Sequence, residues 1–76
     1  MKSNKNIVKE DREKLAANIK RLCAERSWTM SRLNRESSVS LPTIKALIDQ
    51  KAESTRILTL FKLSRAFGVP MSELLE

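Results

Sequence analysis

The chain reads as all-α: a compact five-helix bundle with two short helices joined by a tight turn at its centre. Three observations predict this. Apolar residues recur at helical spacing, as in Ile44, Leu47 and Ile48 at i, i+3, i+4. Good capping residues, Thr29, Ser40 and Thr55, stand just ahead of three of the periodic runs. No strand candidate, internal repeat or low-complexity tract interrupts them.

Taken in order, residues 1–8 are polar and basic apart from Ile7 and Val8, and are expected to form a flexible basic arm ahead of a single domain over residues 9–76. Helix 1 is expected from Lys9 to Arg26, with Glu10, Asp11 and Glu13 in its first turns, where the helix dipole favours acids. Leu15, Ile19, Leu22 and Cys23 form its buried stripe, and Trp28 in the following connection is read as a lid on the core. Thr29 caps helix 2, whose apolar anchor is Leu33, and Ser37-Ser38-Val39 leaves room only for a short turn. Ser40 caps helix 3, with Pro42 in its first turn, where a missing N–H costs nothing. After a polar loop from Gln50 to Thr55, helix 4 is expected over Arg56 to Phe67, capped by Thr55 and stopped by Gly68. Ile57, Leu60, Leu63, Ser64 and Phe67 fall on one face of it. Pro70 or Ser72 then starts a last turn, MSELLE. Two capped helices as close as those in residues 29–49 are the signature of a helix-turn-helix, whose second helix commonly enters the DNA major groove.

Composition narrows function by exclusion. Seventy-six residues allow one core, near the lower size limit for a stable domain. The chain has no histidine, one cysteine and one glycine, which leaves neither the commonest general base, nor a metal-ligand set, nor a phosphate-cradling loop. No enzymatic activity, cofactor, metal or small-molecule ligand is expected. Fifteen Lys+Arg against nine Asp+Glu give a formal charge of +6, the balance of a protein that meets phosphate. The lone Cys23 fits a reducing compartment, and no apolar run approaches ~18 residues. A cytoplasmic protein, without membrane contact, is the expectation.

The order of elements resembles the phage-repressor-like (Cro and lambda-repressor type, XRE-like) helix-turn-helix family of bacterial transcriptional regulators. The stretches that carry the resemblance are NIKRLCAERSWT, Leu33, VSLPTIKALI and RILTLFKLSRAFGVPMSELL, together covering about Leu15 to Leu75. It implies a lambda-repressor-like DNA-binding fold and places Met30 at a phosphate-contacting position. Departures accompany it: Asn34 stands where the family usually has alanine, and Ser38 where it has glycine. An amide at Asn34 must find a backbone partner or tilt outward. A serine held at positive φ in the turn costs about 1 kcal/mol. Cys23 and Ile48 replace an Arg–Glu ion pair by an apolar contact, which costs no stability.

With Ile44, Leu47 and Ile48 inward, helix 3 presents Leu41, Pro42, Lys45, Ala46 and Asp49 as base-contacting candidates. Lys45 is able to donate to guanine, Asp49 to accept from cytosine, and Ala46 to meet a thymine methyl. Phosphate contacts are expected from Thr29, Met30, Arg32, Ser40, Thr43, Lys51 and Arg56, with helix N-termini assisting. Arg35, Lys20, Arg21 and Lys62 are read as solvated. Leu58 and Phe61, off the core face of helix 4 and extended by Leu74 or Leu75, suggest a homodimer interface. The expected function is a sequence-specific, double-stranded-DNA-binding regulator, a repressor acting as a dimer. The alternative is a helix-turn-helix domain acting through protein binding, as an antitoxin or anti-regulator, which the apolar Leu41, Pro42 and Ala46 favour.

Overall fold

A computed structural model describes residues 9–52 and 55–76. Five helices occur among them, α1 (Lys9–Arg26), α2 (Met30–Ser37), α3 (Leu41–Ile48), α4 (Ile57–Phe67) and α5 (Met71–Leu74). The basic arm expected over residues 1–8 lies outside the described residues. α3 packs on α1 and α2, α2 also on α4, and α5 closes the bundle between α4 and α1.

Sequence periodicity becomes packing directly. Leu15, Ile19, Leu22 and Cys23 of α1 meet Leu33, Val39, Ile44, Leu47, Leu63, Phe67 and Leu74 in one core. Burying each large aliphatic side chain contributes about 1.5–3 kcal/mol. Trp28 is half-buried and stacks on Phe67 with ring centroids 5.7 Å apart, which makes it the lid the sequence suggested. Ile48 packs at the edge of the core that holds Cys23, and burial pushes the Cys23 thiol pKa above its usual value while nearby Arg26 opposes the rise.

Helix ends are set by capping and by left-handed residues. Thr29 accepts the Arg32 backbone N–H at 3.1 Å, and Ser40 accepts that of Thr43 at 3.4 Å. Ser27, Ser38, Gln50 and Gly68 all have positive φ and follow the first four helices. Three of these ends carry the paired bonds of a Schellman motif: Trp28 N–H to Cys23 carbonyl, Lys51 to Ala46 and Val69 to Ser64, each with its inner partner bond. Ser38, at φ 64°, has the strained conformation expected for a turn without glycine. Asn34, half-buried, satisfies its amide by donating to the Val39 carbonyl at 2.7 Å, across the same turn. Ser37 adds a second tie, donating to the Leu33 carbonyl and accepting from the Val39 N–H.

Three expectations on the C-terminal half are corrected. Arg56, not Thr55, is the N-cap of α4, with no side-chain cap bond, and the Thr55 hydroxyl oxygen is buried without a partner among the described residues. Ile57 is 71% exposed: it sits in the first turn, before α4 has reached the core. Leu74 is fully buried, so it belongs to the core and cannot extend a surface patch.

Candidate nucleic-acid interface

The motif brings together most of the residues proposed from sequence. Leu33 and Ile44 are both fully buried, one on each helix of the motif, and fix how α2 and α3 lie against each other and against the core. Ile44 and Leu47 commit one face of α3 to the core, which leaves Leu41, Pro42, Thr43, Lys45 and Asp49 exposed and Ala46 half-buried. A concave surface runs from this face to the start of α4, lined by Pro42, Thr43, Ala46, Leu47, Ala52, Thr55, Arg56 and Thr59. The base-contacting candidates Pro42 and Ala46 and the phosphate-contacting candidates Thr43 and Arg56 therefore share one depression, although Arg56 is ten or more positions beyond the others in the chain.

At the start of α3 the donors are fewer than a bare helix terminus would offer. Pro42 has no N–H, the Thr43 N–H is taken by Ser40, and that of Ile44 bonds the Ser40 carbonyl at 3.0 Å. Leu41 retains the first-turn amide that the helix does not use. The Ser40 hydroxyl donates to that of Thr43 at 2.9 Å, which leaves the Thr43 hydroxyl proton as an outward donor. At the start of α2, the Thr29 oxygen is occupied as an acceptor but its proton is available, and Met30 is exposed.

The cations differ in their circumstances. The Arg32 Nε donates to Glu36 Oε2 at 2.7 Å while its guanidinium lies 5.3 Å from the Trp28 ring centroid. Arg32 is thus held by an ion pair and a ring, not carried loosely at an edge. The Lys45 ammonium is 3.4 Å from the Asp49 carboxylate, one helical turn on. Lys51 and Arg56 are exposed, and neither forms an ion pair among the described residues. Both carboxylate pairings escaped the sequence reading, although the spacing of Arg32 with Glu36 and of Lys45 with Asp49 at i, i+4 was visible there.

Two other arginines were misjudged or missed. Arg26 donates to the Phe67 carbonyl at 2.6 Å and the Leu22 carbonyl at 3.1 Å, with its guanidinium 5.4 Å from the Phe67 ring centroid. Arg21 is not merely solvated: it pairs with Glu25 at 3.1 Å and with Glu73 at 3.4 Å, linking α1 to α5. Asn18 reinforces that link by donating to the Leu74 carbonyl at 2.8 Å. On the far side of α4, Leu58 is 56% and Phe61 44% exposed, lining a groove with Glu36, Ser37, Lys62, Arg65 and Ala66. Leu75 is half-buried against the core.

Two short capped helices, the second with one buried and one open face, the first packed on α4 and the second on α1, define a helix-turn-helix domain. The chain belongs to the Cro/C1-type helix-turn-helix DNA-binding domain family, whose model matches residues 18–76. Its fold is similar to the crystal structure of the hypothetical transcription factor NHTF from Neisseria, with a TM-score of 0.82 over 99% of this chain and 83% of that chain. The two sequences are 19% identical, so that likeness is one of fold. No match is found among curated proteins. No helix among the described residues is long and apolar enough to cross a membrane.

Proposed function

We propose that this protein is a sequence-specific regulator of transcription that binds duplex DNA as a homodimer and represses by occupying an operator. The observation that carries the reading is the open face of α3, which adjoins Arg56 in one depression within a family-defined DNA-binding motif. In this reading Leu41, Pro42, Lys45, Ala46 and Asp49 face the bases. Thr29, Met30, Arg32, Ser40, Thr43, Lys51 and Arg56 meet the backbone on either side of them.

Backbone contacts fix register, and base contacts supply sequence preference. The base-facing set has few hydrogen-bonding groups, so it reads few positions sharply, at about 1–3 kcal/mol for each good bidentate contact. Repression is steric: a dimer seated on a promoter excludes polymerase. Selection of bound fragments from random duplexes tests this and defines the site. On the selected site, Lys45→Ala should relax sequence preference, whereas Lys51→Ala and Arg56→Ala should weaken binding to all sequences alike. Recovery of no enriched sequence, with the purified protein instead holding a protein partner through Leu41 and Pro42, would support the antitoxin-like alternative.

A further inference from the structure

The exposed face of α3 is electrically neutral. From Leu41 to Asp49 there is one cation, Lys45, and one anion, Asp49, and the two are paired at 3.4 Å. Both side chains are open to solvent, Lys45 at 68% and Asp49 at 38% exposure. An exposed pair of this kind adds little to folding. Its consequence is electrostatic: a helix that meets a polyanion keeps a carboxylate beside its only ammonium. We propose that Asp49 is a specificity-determining residue, which neutralises Lys45 and so restrains α3 from binding DNA of arbitrary sequence. The proposal rests on the reading of α3 as the base-facing helix.

On an arbitrary sequence, Lys45 gains only the general attraction of phosphate, and to gain it must leave Asp49, whose charge is then unpaired in a strongly negative groove. The exchange is close to neutral, so no counterion release is won at that position. On a matching site, Lys45 has a guanine edge to donate to, and Asp49 has the exocyclic amino group of cytosine or adenine to accept from. Both charges are then satisfied by bases. The carboxylate thus acts against wrong sequences as well as for the right one, which is how specificity is commonly divided. The main chain of residue 49 needs no side-chain help: its N–H bonds the Lys45 carbonyl at 2.9 Å. Asparagine at this helix end therefore preserves the fold.

The test is binding of the full chain to a random-sequence duplex and to its selected site, across a salt series. Asp49→Asn should add about one phosphate contact on the random duplex. That steepens the log K against log salt slope by about 0.9 and strengthens binding about fivefold near 0.15 M salt. The ratio of selected-site to random affinity should fall correspondingly. In a Lys45→Met background the same substitution should gain less than about twofold, since there is no ammonium to release. An equal gain in both backgrounds would mark simple repulsion by Asp49 and overturn the proposal. So would an unchanged random-duplex affinity in a protein that still prefers its selected site. If the unsubstituted protein bound no duplex at all, the reading of α3 as a base-facing helix would fall, and this inference with it.

Discussion

Arg26 shows how much a single side chain contributes to an α-helical domain of this size. It bonds two carbonyls, one on its own helix and one at the end of α4, while lying against Trp28 and Phe67. Composition counts it as one more surface cation, but it joins the two longest helices through a partly buried charge-assisted bond. Arg26→Met keeps the apolar stem of the side chain and removes the donors. The Phe67 carbonyl then loses its partner, and the expected loss is about 1–3 kcal/mol by denaturant unfolding. Arg21→Met removes only exposed or partly exposed ion pairs, to Glu25 and Glu73, and should lower the midpoint less. If the two variants unfolded together, Arg26 would be no more than a surface charge.

At the scale of the element, helix ends decide the outcome more than helix interiors. Gly68 closes α4 at φ 74°, and a Cβ added there would meet nothing within 4 Å. Gly68→Ala is therefore a test of backbone conformation alone, with an expected cost of about 1 kcal/mol. Ser38 occupies the same conformation without glycine's freedom, so Ser38→Gly should gain stability of similar size. A melting temperature that moved the same way in both would contradict this account of the turns. These ends were legible in the sequence where chemistry is local. Thr29 and Ser40 cap as expected, Gly68 stops α4, and Asn34 found the backbone partner that its burial required. What escaped was set by tertiary geometry. Ile57 has helical spacing with the core residues, yet α4 enters the core only further along. Leu74 and Leu75 are indistinguishable by type, and the docking of α5 on α1 and α4 buries the first completely and the second by half. Within the candidate site, the face of α3 followed from periodicity, whereas the depression shared with Arg56 depends on where α4 starts relative to α3.

For the whole molecule, the proposed dimer rests on the exposed Leu58 and Phe61, and its proposed DNA partner on a formal charge of +6. A two-fold dimer through the Leu58–Phe61 groove would set two copies of α3 about 34 Å apart and demand a near-palindromic site. Leu58→Glu should then sediment as a monomer with an intact helical signal and a reduced operator affinity. A wild-type protein that sediments as a monomer at the concentrations that saturate its site would contradict the dimer. Whether the open face of α3 and its flanks engage the phosphate backbone of duplex DNA is read from a salt titration of binding. With ~2–3 phosphates neutralised per half-site by the cations flanking α3, log K should fall against log salt with a slope of roughly −2 to −3 per protomer. An affinity unchanged between low and physiological salt would contradict the account and assign the open face of α3 to a protein partner.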